Sequence, residues 1–136
     1  FAGTGALAIE ALSRGARSAV LVDNAAAALG VIRKNLANCG FVDRAQVIRW
    51  DIHRNLNCLR PMNVRFDLIF MDPPYAKGLI QPTLANLIKS ASLAPQATLV
   101  IEHAAGESID FLQPPFQVTD QRRYGKTLVT FLATML

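Results

Sequence analysis

The sequence predicts an α/β fold, a doubly wound and mostly parallel sheet with an antiparallel hairpin at its C-terminal end. Three observations lead there. Short apolar runs of strand type alternate with helical stripes along most of the chain. A glycine-rich turn, Gly3-Thr4-Gly5, opens directly into the first helical stripe. Two β-rich runs near the end, residues 116–124 and 127–134, are joined through Gly125.

Residues 6–14 form the first helix, with Leu7, Ala8, Ala11 and Leu12 on one face and Gly15 as its stop. Residues 18–23 (SAVLVD) are a short buried strand. Residues 25–39 carry the strongest helical stripe, Ala25, Leu29, Ile32, Leu36 and Cys39, followed by Gly40 as the C-terminal stop. Cys39 is therefore expected in the core. Residues 45–50 are a third run of strand type, and residues 52–59 a short helix with Asp51 as its N-cap. Residues 66–71 (FDLIFM) are nearly continuously apolar, as a central parallel strand should be. Residues 79–93 are helical, with Pro82 in the first turn where a missing N–H costs little. Residues 97–102 are a strand leading toward the terminal hairpin.

Composition bounds the function. At 136 residues the chain is one ordinary domain. Apolar residues make up 51% and charged residues 18%, which excludes a disordered tail. No apolar run reaches the roughly 18 residues of a membrane span. Cys39 and Cys58 are too few for a disulfide scaffold, lack zinc spacing and suit a reducing, cytoplasmic compartment. The net charge of +4 favours a polyanionic partner. The chain starts at Phe1 and runs straight into the glycine turn, so it reads as a piece of a longer protein whose first strand is missing. On that reading the piece alone is expected to be unstable and to bind its cofactor poorly.

Two motifs carry the chemistry. Gly3-Thr4-Gly5-Ala6-Leu7-Ala8 fits G-x-G-x-x-G/A, and Asp23 follows Gly3 by 20 residues at the end of the next strand. Glycines let the backbone turn and approach a ligand closely, the following helix start favours an anionic group, and an acid so placed can accept both ribose hydroxyls. This motif alone does not separate NAD from S-adenosylmethionine.

The second motif, Asp72-Pro73-Pro74-Tyr75, decides between them. It follows directly on FDLIFM, at the carboxyl end of a strand where open α/β sheets bind ligands. Neither proline has an N–H, so this wall presents acceptors only. The Asp72 carboxylate and the Pro73 carbonyl can take both hydrogens of an NH₂ group and leave its nitrogen lone pair available. Tyr75 offers a ring on which a flipped base can stack.

With these residues the chain resembles S-adenosylmethionine-dependent methyltransferases of the exocyclic-amine type. It is most similar to the bacterial small-subunit (16S) ribosomal RNA guanine-N2 methyltransferase family. FAGTGALAIEALSRGA matches that family's cofactor motif, DPPY its catalytic motif and RRYGKTLVTFL its closing hairpin. The resemblance implies a class I methyltransferase fold over residues 1–136, a single domain lacking its first strand and basic N-terminal segment. It implies S-adenosylmethionine as cofactor, with Gly3 and Gly5 along its methionine and ribose. Asp23 would stand on the ribose, where the family more often has Glu, with Asp51 on the adenine amino group and Ile52 against the adenine ring. Asp72, Pro73, Pro74 and Tyr75 would hold the target base. The implied reaction is methyl transfer to the N2 amine of a guanine in ribosomal RNA, free or in the assembling small subunit, by a cytoplasmic monomer.

Other readings stand beside these. Asp51 can be a helix cap alone, and Trp50 part of the core or a pocket wall. His53 and His103 have no metal-ligand partners at useful spacing. Glu102 is either a substrate contact or a structural hydrogen-bonding group. Arg122, Arg123 and Lys126 form a solvated basic cluster or contact RNA phosphates. Arg14 and Arg17 can complement the first helix's dipole. As whole functions, the alternatives are a DNA adenine-N6 methyltransferase, a nicotinamide-dependent dehydrogenase and a non-catalytic RNA-binding fragment. The dehydrogenase leaves the DPPY tetrad unexplained.

Overall fold

A computed structural model describes residues 1–74, 78–107 and 114–135. The elements run α1 (Ala6–Ser13), β1 (Ala19–Asp23), α2 (Ala26–Cys39), β2 (Ala45–Arg49), β3 (Phe66–Met71), α3 (Ile80–Ser90), β4 (Leu93–Ala104), β5 (Phe116–Tyr124) and β6 (Thr127–Thr134). The α/β expectation and the terminal hairpin are both met. The chain divides into two compact units, residues 1–52 and 53–136.

In the first unit β1 and β2 pair in parallel, Ala19 opposite Ala45 through Asp23 opposite Arg49. Helix α2 is the crossover between them, as a parallel pair requires. Its apolar stripe closes the core: Leu29, Ile32 and Leu36 pack with Leu12 of α1 and Leu21 of β1. Gly40 ends α2 in the left-handed region. Cys39, expected in the core, is exposed. The stripe's last buried position is Leu36, and the final turn of α2 runs past the core. Trp50 is likewise on the surface rather than in the core, 36% exposed.

The second unit is a four-stranded sheet in the order β3-β4-β6-β5. β3 and β4 are parallel, whereas β6 is antiparallel to both of its neighbours. Alternate residues of β4, Ala97, Leu99, Ile101 and His103, are buried. They share that face with Thr130 and Leu132 of β6. His103 Nε2 lies 2.7 Å from Thr130 Oγ1 within this layer.

Local expectations fail at two places. No α-helix spans 52–59. The segment is a turn followed by a 3₁₀ helix at Asn57–Met62. The Asn55 side chain accepts from the Asn57 N–H at 3.0 Å and turns the chain there, and Pro61 lies inside the 3₁₀ helix, where it bars continuation as an α-helix. Asp51 therefore has no α-helix to cap. Helix α3 stops at Ser90, where Ala91 turns left-handed (φ 54°), rather than at 93. β4 then begins at Leu93, earlier than expected, and absorbs Pro95 and Gln96 (φ 58°) as an irregularity opposite Phe66 and Leu68. At the end of α1, Arg14 pairs with Glu10 at 2.6 Å. A second cation there, Arg44, donates to Leu12 O at 3.1 Å and to Ala16 O.

Candidate functional site

In the first unit the glycine turn stands at the carboxyl end of β1. The Gly5 N–H donates to Ala2 O at 2.9 Å, closing the turn, and Gly5 opens α1 at φ 80°. Gly3 has φ 59°, and a Cβ there would meet no atom within 4 Å. Only glycine takes such angles without strain. The turn thus keeps an open backbone flank beside a helix start, where the first N–H groups have no partner within the helix.

Asp23 fastens this turn. Its Oδ2 accepts the Gly3 N–H at 3.0 Å, and its Oδ1 accepts the Ala25 N–H at 3.0 Å. Partial burial opposes the carboxylate's charge, but the hydrogen bonds from Ala25 and Gly3 outweigh it and hold the pKa below the usual value. With four lone pairs, the carboxylate keeps capacity for a ligand hydroxyl beyond these bonds and a further backbone one from Asn24. A lowered pKa means that the carboxylate's contribution to stability is present above about pH 4 and is lost as the pH falls through its folded-state value. Trp50 N–H donates to Asp23 O at 3.0 Å, extending the β1–β2 pairing past Arg49. Asp51 and Ile52, both half-buried, follow on the same carboxyl edge. The first unit thus joins the glycine turn to Asp23, and Asp51 and Ile52 follow the end of β2, the strand paired with β1. Asn35 was not anticipated: its Nδ2 donates to Thr4 O at 2.9 Å and ties the turn to α2. A lone asparagine on a polar helix face gives no signal of that role.

In the second unit Asp72, Pro73 and Pro74 extend from the end of β3, as the sequence places them. Pro73 is buried, while Asp72 and Pro74 are exposed. Tyr75 lies outside the described residues. Although the residue as a whole is exposed, partial desolvation of its carboxyl and then the Glu102 charge push Asp72 above its ordinary pKa. Leu68 pairs with Thr98, Phe70 with Val100 and Met71 with Ile101. One residue further, Asp72 adjoins Glu102 on the face opposite the buried one.

The hairpin joins this face. Val129 pairs with Glu102 on one side and with Arg122 on the other, so all three side chains share it. The Arg122 guanidinium sits 5.2 Å from the centroid of the Phe131 ring and pairs with Asp120 at 3.1 Å. Arg123 pairs with Leu128, hence with the His103 row, and projects to the other face. Lys126 is exposed in the turn. Strand alternation therefore divides Arg122 from Arg123. Among the described residues no group of three or more His, Cys, Asp or Glu is placed to hold a metal ion.

The chain matches, over residues 1–133, the family described as Conserved hypothetical protein 95. It is 32% identical over 127 residues to the Bacillus subtilis protein YlbH, covering 93% of this chain and 69% of that one. The ribosomal RNA small subunit methyltransferase D of Buchnera aphidicola subsp. Baizongia pistaciae is 35% identical over 106 residues. That match covers 75% of this chain and spans half the length of the relative. A solved structure of a Streptococcus pyogenes protein superposes with a TM-score of 0.88 at 34% identity, covering 98% of this chain and 82% of that one. Solved methyltransferases superpose over nearly the whole chain too, so the fold is that of the class I methyltransferases. With its glycine turn, its DPPY tetrad and its closing hairpin all inside the matched span, the chain belongs to the Conserved hypothetical protein 95 family, that of the small-subunit ribosomal RNA methyltransferases.

Proposed function

We propose that the chain is a single methyltransferase domain that moves a methyl group from S-adenosylmethionine to the N2 amine of a guanine. The substrate is small-subunit ribosomal RNA, free or in the assembling subunit, and the enzyme works as a cytoplasmic monomer. The observation that carries the reading is the acceptor-only wall of Asp72 and Pro73 at the carboxyl end of β3, in a chain of this family. The small-subunit methyltransferase relatives support ribosomal RNA as the substrate.

The residues fit the cofactor. Gly3 leaves open space for a backbone approach, Asp23 is ionised and has lone pairs to spare, and Asp51 and Ile52 stand at the neighbouring strand end. Gly3 and Gly5 would flank the methionine and ribose, Asp23 the ribose hydroxyls, Asp51 the adenine amino group and Ile52 its ring. When bound, S-adenosylmethionine supplies an electrophilic methyl on its sulfonium sulfur. Asp72 and the Pro73 carbonyl hold the two amine hydrogens, and Tyr75 stacks on the base. Their acceptors face a nitrogen that gains positive charge during transfer, which is where preorganised dipoles lower a barrier.

The test is nucleoside mass spectrometry of small-subunit RNA and of subunits treated with the protein and S-adenosylmethionine. N2-methylguanosine is the expected product; methyladenosine alone would move the activity to the adenine class. Asp23→Ala is expected to weaken S-adenosylhomocysteine binding by about 1–3 kcal/mol, the scale of hydrogen bonds to a charged acceptor. Calorimetry checks this, and binding of NAD with none of S-adenosylhomocysteine would sink the cofactor assignment.

Arg122, Arg123 and Lys126 serve the RNA backbone in this reading. Because Arg122 shares the face of Asp72 and Arg123 does not, Arg122→Glu should lower RNA affinity more than Arg123→Glu. Every phosphate that a variant no longer neutralises should also reduce the slope of log affinity against log salt by about one unit. Filter binding across a salt series measures both, and unchanged slopes in both variants would remove the hairpin from RNA recognition.

A further inference from the structure

We propose that Glu102 reads the ring N–H beside the amine that Asp72 and Pro73 hold, and so selects guanine over adenine. The inference deepens the guanine reading and rests on it. Guanine's pairing edge presents N1–H next to its N2 amine, two kinds of donor side by side. Adenine presents its N6 amine next to a bare N1, a donor beside an acceptor.

The sheet places an acceptor where that difference can be felt. Residues 68, 70 and 71 of β3 pair with 98, 100 and 101 of β4, so the next position puts Glu102 beside Asp72, about one strand spacing of 4.8 Å away. Strand alternation puts Glu102 on the face away from the buried Ile101, and the same alternation carried one residue past the buried Met71 puts Asp72 there too. On that face β4 offers Thr98, Val100, Glu102 and Ala104, and Glu102 is the one ionisable residue among them. It is half-buried, and its charge reaches Asp72, helping to raise that carboxyl's pKa. Arg122, the charged group facing it from β5, stands two strands away beyond Val129, and its guanidinium is engaged by Asp120 and the Phe131 ring.

Adjacent like charges on neighbouring strands repel. A base edge with donors toward both carboxylates relieves that repulsion. An adenine N1 lone pair turned toward Glu102 adds to it, and a repulsive element of this kind is what discriminates near-isosteric ligands. The wall thus carries three acceptors in register, Asp72, the Pro73 carbonyl and Glu102. Guanine has three hydrogens to match, two on N2 and one on N1.

The experiment replaces the methylated guanosine of the RNA substrate by 2-aminopurine, which keeps the 2-amine and has a bare N1. Both substrates are compared at the same pH, so a change in Asp72 ionisation on altering its neighbour enters both rates and leaves their ratio to report on N1. The wild-type protein should prefer guanosine by roughly ten- to a hundredfold, the scale of one hydrogen bond to a charged acceptor. Glu102→Gln, whose amide can turn an N–H toward bare N1, should shrink or invert that ratio. Glu102→Ala should slow guanosine without helping 2-aminopurine. A folding defect would lower both substrates together and leave the ratio in place, so the ratio is the readout. An unchanged ratio in Glu102→Gln, or no preference in the wild type, overturns the inference while leaving the guanine reading intact. Methyladenosine in place of methylguanosine overturns both.

Discussion

Asp72→Ala is expected to lower kcat by roughly 10²–10³, the cost of removing one preorganised electrostatic group from a reacting centre. The substitution takes away one of the two acceptors that orient the amine and leaves the Pro73 carbonyl alone. Asp72 is exposed at the end of β3, so the fold should tolerate the change and the melting temperature should stay near that of the wild type. Asp72→Asn should be milder, since the amide keeps one carbonyl oxygen. The pH profile carries a second signature. Partial desolvation of the carboxyl first, and the Glu102 charge next, raise the Asp72 pKa, so the acid limb of kcat/KM should lie above the ordinary aspartate value of about 3.9. The linkage has a definite sign: the folded state holds the proton more tightly than the unfolded chain. This group's contribution to stability therefore falls as the pH rises from the unfolded value through the raised one. Single-turnover methylation of RNA measures the rate, and wild-type turnover by Asp72→Ala would remove this aspartate from the reaction.

The sequence revealed most where one local signal sufficed. FDLIFM is a strand because only Asp67 interrupts its apolar extended run, and its bounds are those expected, although among the described residues β3 stands at the edge of its sheet rather than at the centre. The hairpin's two strands also match residue for residue, since Gly125 (φ 63°) marks the turn between two β-rich runs. Local signals misled where a side chain or a long-range partner decided. Residues 52–59 have helical spacing, but the Asn55 side chain, accepting from the Asn57 N–H, favours a tighter turn. Pro95 and Gln96 look like a loop, yet pairing with β3 and β6 draws the chain around them into β4.

Periodicity assigned Cys39 to the stripe of α2 but says nothing about where the core beneath the helix ends. The candidate site divides the same way. The glycine turn, Asp23 and the DPP residues are legible as motifs, because each needs a particular residue type at a fixed spacing. Asn35, Arg44 and the Glu102–Asp72 adjacency are not. Each depends on partners some 28 to 32 residues distant in sequence or on a strand register that only the folded sheet defines. The division of Arg122 from Arg123 has the same origin: neighbours in sequence, they are opposed by the pleat.

Gly5→Ala is expected to destabilise the first unit by about 2–5 kcal/mol, from left-handed backbone strain of about 1–2 kcal/mol and overpacking of about 1–3 kcal/mol. The two costs have separate sources. Gly5 sits at φ 80°, where any Cβ crowds its own backbone. It is also buried, and an added Cβ would stand 3.1 Å from Leu21 Cδ2 and 3.5 Å from Ile32 Cγ1. Leu21 is 1% exposed and Ile32 fully buried, at the centre of the core that α1, β1 and α2 share. Neither can move aside without opening a void beneath the turn. Gly3→Ala is the matched control: its φ of 59° brings the backbone strain, but open space surrounds the new methyl. Denaturant unfolding should therefore rank wild type above Gly3→Ala and Gly3→Ala above Gly5→Ala. Adding Leu21→Ala to Gly5→Ala should cost less than Leu21→Ala costs alone, because the new methyl partly fills the space the leucine vacates. An ordinary domain has only about 5–15 kcal/mol in total, so Gly5→Ala should also erode S-adenosylhomocysteine binding at physiological temperature. Equal stabilities for Gly3→Ala and Gly5→Ala would show that the close approach of the turn to Leu21 carries no energetic weight.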